Sequence, residues 1–183
     1  MSDLINPVYF NPLSLLRNLR PRRLIPDLEV DSITDIDLSI LKGEGVKGII
    51  FDVDNTLCEY GCEEIDEKNK ESFDKIRKEF RTCIISNTSP CRRAMLAKYF
   101  GVPAVLTVVK KPRPEPYREA MGILETSASE TAMVGDRLLT DIAGANNLGM
   151  YSIKVKPVRL MSEPLPIVLA RGFESFVLRF YEE

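Results

Sequence analysis

Apolar residues along this chain fall into two kinds of run, and their alternation predicts an architecture. Gly48 to Val53 is an apolar run of strand length interrupted only by Asp52, the pattern of a strand buried on both faces of a sheet. From Asp66 to Phe80 the period changes, with Phe73, Ile76 and Phe80 on one stripe and charges on the other, which predicts an amphipathic helix. Thr82 to Ser86 reads as the next strand, Pro90 to Phe100 as a helix closed by Gly101, and Pro103 to Val109 as a third strand. Glu115 to Leu124 predicts a helix and Thr131 to Val134 a strand. Thr140 to Leu148 predicts a helix closed by Gly149, and Tyr151 to Val155 a last strand. Strands and helices alternating at this spacing predict an α/β fold with a doubly wound parallel sheet.

The flanks differ from this core. Residues 1–26 mix apolar side chains with Arg17, Arg20, Arg22 and Arg23, and Asp3 is the only acid there. Between Asp27 and Glu44 the sign reverses, around a short helix expected near Thr34 to Leu41. Leu165 to Tyr181 carries Ile167, Ala170, Phe173, Val177 and Phe180 near helical spacing, so a terminal helix packing back on the core is expected. The chain is read as a single domain: a lead-in over 1–44, a catalytic core over 45–160 and a C-terminal helix over 161–183.

Composition narrows the classes. At 183 residues, 44% apolar and 28% charged, there is enough chain for one substantial core. A net charge of -2 gives no electrostatic reason to expect nucleic acid as a partner. Cys58, Cys62, Cys83 and Cys91 come without CxxC spacing or a secretory signal, so reduced packing thiols and a cytoplasmic location are expected. No apolar run approaches the ~20 residues that span a bilayer. With no histidine in the chain, Ser-His-Asp hydrolysis and His-ligated zinc are excluded, and any general acid must be a carboxyl. No cysteine is followed six positions later by arginine, which removes the cysteine-phosphatase loop. Gly43, Gly45 and Gly48 match the letters of a dinucleotide fingerprint but precede the first core strand and open no helix.

Candidate chemistry collects where the predicted strands end: Asp52-Val53-Asp54-Asn55-Thr56, Ser86-Asn87-Thr88, Lys111-Pro112, and the run from Gly135-Asp136-Arg137 to Asp141. Ligands of open α/β sheets bind at these carboxyl ends. A carboxylate pair, a hydroxyl, an ammonium group and an acidic metal corner are what phosphate-ester cleavage needs. Asp52 closes a run of buried aliphatics, where a carboxylate is costly unless it binds a cation or reacts. Asp54 follows on the same side of an extended backbone, placed for proton transfer; capping a turn is its plainer reading. The Ser86 hydroxyl and the Asn87 and Thr88 amides can donate to phosphate at a helix start, or simply cap that helix. Thr56 reads as a loop-shaping hydroxyl and Arg137 as either a site residue or a solvated one.

In identity and order these segments resemble the haloacid-dehalogenase-like (HAD) phosphohydrolases, whose first motif is DxDxT and whose last is GDxxxxD. Within that superfamily Ile85 to Thr88, Lys110-Lys111-Pro112 and VGDRLLTDIAGANNLG, from Val134 to Gly149, look most like the YqeG-like phosphatidylglycerophosphate phosphatases. The resemblance implies Asp52 as nucleophile through an aspartyl-phosphate and Asp54 as acid and base. It implies Lys111, with Lys110 the competing candidate, as the charge on the phosphoryl group. It also implies magnesium held by Asp52, Asp136 and the Asp54 backbone carbonyl. Asp141 fits a supporting role orienting Lys111 or a metal-bound water, with a helix N-terminal charge as the alternative.

HAD enzymes commonly carry a cap domain after the first motif or between the second and third. Here Leu57 to Arg81 and Ser89 to Lys110 are each filled by one helix, so a capless, open site is expected. That suits a phosphate on something too large to engulf, such as a lipid headgroup. The implied reaction converts phosphatidylglycerophosphate to phosphatidylglycerol. A soluble sugar or nucleotide phosphate, or an idle binding module, are the alternatives, and intact Asp52 and Asp54 argue against the last. The basic N-terminal stretch suggests peripheral contact with an anionic membrane, at its inner face, or else docking on the domain. The sequence leaves the oligomeric state open.

Overall fold

The computed structural model describes residues 21–62, 64–105, 107–160 and 163–179. Of the basic N-terminal stretch 1–26, to which membrane contact is assigned, residues 1–20 lie outside them, as does the part of the expected C-terminal helix beyond Arg179. Five strands form one all-parallel sheet: β1 (Leu28–Val30), β2 (Gly48–Phe51), β3 (Arg81–Ile84), β4 (Thr131–Gly135) and β5 (Tyr151–Val155). Their spatial order is β1-β5-β4-β2-β3, so the chain leaves β2 toward β3 and returns to its other side with β4. This reversal makes the carboxyl end of β2 the topological switch point, where such sheets open a crevice. The register places Phe51 beside Ile84 and Val134, which brings the residues following all three strands together.

The described residues form six α-helices, α1 (Leu38–Gly43), α2 (Glu67–Glu79), α3 (Pro90–Phe100), α4 (Pro114–Leu124), α5 (Ala143–Leu148) and α6 (Leu165–Arg179). Alternation along β2 sends Ile49 and Phe51 into one core and Ile50 into the other. On the first face Phe73 of α2 meets Phe51 edge-on at 5.4 Å and Phe100 of α3 at 5.3 Å. On the second face Tyr117, Ala120 and Leu124 of α4 pack with Met133 and Ala145. The doubly wound α/β expectation is met, and neither inter-motif interval carries a cap among the described residues.

Local signals placed most boundaries. Asp66 caps α2 by accepting from the Asn69 amide, and Ser89 caps α3 with Pro90 in its first turn. Gly101 and Gly149 close α3 and α5 in the left-handed conformation.

Three elements differ from expectation. The helix near Thr34 to Leu41 divides into a short turn at Ile33–Asp35 and α1, because Asp37 turns its carboxylate onto the Ser39 amide and starts a new helix. The third strand over Pro103 to Val109 is reduced to a bridge between Ala104 and Ile84. Beyond it the buried Arg93 guanidinium takes the carbonyls of Val105 and Thr107, so a side chain rather than a strand satisfies that backbone. The lead-in contributes an unexpected edge strand, β1, which pairs with β5 and is anchored by Asp27 accepting from the Ser152 amide (2.7 Å) and hydroxyl (2.9 Å).

Leu24, just before that strand, is buried against Leu139 and Ala143, with Phe173 of α6 packed on the same cluster. The described part of the lead-in therefore docks on the core. Cys58 and Cys83 are buried, and burial pushes both thiols up to about 12.

Candidate active site

Asp52 directly follows β2 and is nearly inaccessible; burial drives its pKa well up, with Lys111 pulling the other way. Lys111 Nζ donates to Asp52 Oδ1 at 2.6 Å and to Asp141 Oδ1 at 2.7 Å. Burial alone would depress this ammonium, but Asp141 and Asp52 more than offset it and its pKa is raised. Lys111 is held by the Asn87 side chain, which accepts from the Lys111 amide at 2.9 Å and donates to its carbonyl at 3.3 Å. Lys110 is exposed. Of the two lysines, Lys111 reaches the carboxylates.

Asp136 follows β4, and burial raises it to about 6 against the opposing pull of Arg171. Oxygens of Asp52, Asp136 and Asp141 lie within 4.8 Å of one another. Asp141 sits on a wide turn, Leu138–Ile142, whose Ile142 amide bonds back to the Arg137 carbonyl. One Asp141 oxygen reaches Lys111 while the other accepts from the Arg137 amide at 3.1 Å. Such π-type turns recur at functional sites because they re-aim a side chain out of the regular helical stack. Gly135 is required here: a Cβ would fall inside the Asp141 carboxylate.

The donor set suits magnesium. Its side chains are hard oxygens, and three carboxylates face two cations, Lys111 and Arg171, which leaves negative charge for a small divalent ion.

The Asp54 carboxylate stands outside this cluster. Arg92, one turn into α3, grips it with two 2.8 Å bonds, while the Gly61 amide (2.9 Å) and the Ser86 hydroxyl (3.3 Å) complete its shell. Ser86 therefore donates to Asp54 in this state. Thr88 and Asn87 line the same pocket of about 270 Å³ as Asp52, Asp54 and Lys111. Thr56 donates to Asp136 at 3.3 Å.

Sequence reasoning missed a further layer supplied by the C-terminal segment. Arg171 donates to the Asp136 carboxylate and makes two 2.6 Å bonds to Glu163. Glu163 also accepts from Asn55 Nδ2 at 2.7 Å, so the loop after Asp54 is tied to α6. Asn55 adopts a left-handed conformation, φ 62°, and its side-chain oxygen receives the Arg159 amide. Arg92 had a signal, being one turn from a capped helix start beside Ser86. Arg171 had none.

Known proteins place this arrangement in context. A family model described as mitochondrial PGP phosphatase matches residues 9–158. The chain is 32% identical over 135 residues to Probable phosphatase YqeG of Bacillus subtilis, covering 73% of this chain and 78% of that protein. It is also 32% identical over 162 residues to phosphatidylglycerophosphate phosphatase 1, chloroplastic, of Chlamydomonas reinhardtii, covering 83% of this chain and 60% of that one. A HAD-like family hydrolase of Porphyromonas gingivalis superposes with a TM-score of 0.51 at 14% identity, over 70% of this chain and 98% of that one, a likeness of fold.

Proposed function

We propose that this chain, which belongs to the mitochondrial PGP phosphatase family and is a HAD-type phosphatase, removes the terminal phosphate of phosphatidylglycerophosphate by way of an aspartyl-phosphate. The observation that carries the chemistry is the buried Asp52-Lys111-Asp141 chain, with bonds of 2.6 and 2.7 Å, at the switch point of the sheet. Asp52 Oδ attacks phosphorus, the bond to the leaving alkoxide breaks, and water later cleaves the acyl phosphate to return the carboxylate. Lys111, held charged by its two acids, offsets charge on the phosphoryl oxygens. Asp54 protonates the leaving oxygen and then accepts a proton from the attacking water. Both its oxygens are engaged by Arg92, so this work requires that ion pair to open as substrate enters. The Asn87 and Thr88 amides and the Ser86 hydroxyl, freed by the same opening, hold the phosphate. Asp52 and Asp136, with the Asp54 carbonyl, would hold a magnesium ion, which when bound supplies further charge neutralisation for the phosphoryl group. The supporting role belongs to Asp141, through Lys111.

The choice of lipid substrate follows the family and the absence of a cap among the described residues. Peripheral contact of residues 1–20 with an anionic membrane is part of this reading. No described helix is long and apolar enough to cross a membrane. Phosphate release from phosphatidylglycerophosphate in mixed micelles, measured beside a panel of soluble phosphate esters, tests the assignment. Faster turnover of a sugar or nucleotide phosphate would replace the lipid with a soluble substrate.

A further inference from the structure

The catalytic pocket, about 270 Å³, sits just below the ~300–1,000 Å³ usual for sites that engulf a whole small molecule. It opens into a second groove of about 510 Å³, with Asn87, Lys111, Arg137, Thr140 and Ile167 common to both. Beyond these shared residues the groove has an apolar part, Val108 and Val109 on one bank and Pro166 and Ala170 of α6 on the other, beside Lys110, Pro112 and Arg113. Among the described residues its lining contains no Asp or Glu, while Lys110, Lys111, Arg113 and Arg137 supply four cations. At the junction of pocket and groove Arg137 pairs through Nη2 with the buried Glu174 at 3.7 Å, while its Nε is buried without an acceptor. Val108 is 79% exposed, and Leu165 and Leu169, neighbours of the groove residues on α6, are 69% and 65% exposed. Large aliphatic side chains gathered beside a cationic bank mark a surface that is covered in use.

We propose that this groove receives the acylated, anionic leaving group of a phospholipid: the phosphomonoester enters the pocket, a second phosphate is read by Arg137 and Lys110 or Arg113, and the lipid body lies along the Val108 and α6 walls. The inference rests on the proposed lipid substrate and adds to it the residues that select it. Charge complementarity and continuity with the pocket single out this occupant over a second copy of the chain or its own residues 1–20.

The test is binding rather than turnover. The full chain is titrated calorimetrically with dihexanoyl phosphatidylglycerol kept monomeric, beside dihexanoyl phosphatidylcholine and the bare glycerophosphoglycerol headgroup. Saturable binding of the anionic lipid is expected, at least about tenfold tighter than either control: the bare headgroup lacks the acyl chains, and the choline of the zwitterionic lipid sets a quaternary ammonium against the cationic bank. The double variant Val108→Glu/Ala170→Glu should lose that binding at an unchanged thermal midpoint. Val108→Glu alone, at a solvent-facing position, should weaken binding about tenfold and serves if the pair fails to fold. No binding of the anionic lipid, equal binding of the phosphatidylcholine, or full binding by both variants would overturn the groove assignment. Phosphatidylglycerophosphate hydrolysis without such binding overturns this inference alone, whereas lipid binding without that hydrolysis overturns the proposed reaction and leaves the groove standing.

Discussion

Arg171 donates to the carboxylate of Asp136 and, from its Nη1, to the Asp136 carbonyl at 3.3 Å, so the last helix of the chain is bonded to the acidic end of β4. The same guanidinium holds Glu163, and through Glu163 reaches Asn55 beside Asp54. Two strand ends and the C-terminal segment are thereby clamped by one cation, whose pKa is raised by Glu163 and Asp136 despite partial burial.

Arg171→Ala should leave Asp136 and Glu163 facing each other without their shared cation. Breaking a buried pair in this way costs about 3 kcal/mol, read as a lower urea midpoint at unchanged slope. Magnesium should restore more stability to this variant than to the wild type, because it replaces charge at Asp136. A midpoint within error of wild type would mean that the clamp contributes nothing.

Asp52→Asn should reduce phosphatase activity below a few percent without loss of fold. The sign of its stability effect follows from burial. An acid whose folded pKa is raised carries a penalty that is absent below its unfolded pKa of about 4 and fully present above the folded value. At neutral pH the metal-free variant should thus be at least as stable as wild type by thermal denaturation, and near pH 3, roughly, that difference should vanish. Substantial residual turnover would rule out covalent catalysis at Asp52.

Magnesium should raise the thermal midpoint and chelation should stop activity. With Asp136 at about 6 in the metal-free protein, protons compete for the same carboxylate. The magnesium-induced rise should therefore be full at neutral pH, fall as pH drops through about 6, and be lost near pH 5, roughly one unit below. Full activity in excess chelator would discard the metal.

Gly144→Ala should destabilise by about 1–3 kcal/mol, the usual cost of overpacking. Any Cβ at Gly144 would run into the Tyr117 ring, which is fixed by its 2.5 Å hydrogen bond to the Thr140 carbonyl. Denaturation of Gly144→Ala beside Tyr117→Leu/Gly144→Ala checks this, since the smaller side chain should relieve part of the added cost.

Deleting residues 1–20 should lower activity on phosphatidylglycerophosphate in anionic vesicles while sparing a small soluble ester. The deletion must stop short of Leu24, which is only 1% exposed and belongs to the core. Equal losses on both substrates would assign the segment a structural role.

The sequence by itself determined the α/β alternation, the bounds of α2, α3 and β5, and the strand-end positions of Asp52, Ser86 and Asp136. Those features are written within a few neighbouring residues: an apolar run, a stripe at helical spacing, Ser89-Pro90 at one end of a helix and Gly101 at the other. Tertiary structure decided what no local pattern carries. Leu28–Val30 becomes a strand only because β5 offers it a partner 125 residues away, and Thr107 stops being one because Arg93 satisfies its carbonyl. Likewise, Asp54 meets Arg92 across 38 residues and Asp136 meets Arg171 across 35, contacts made by packing α3 and α6 against the sheet. A charge on a helix face looks the same in sequence whether it faces water or a buried carboxylate, and only the fold separates the two.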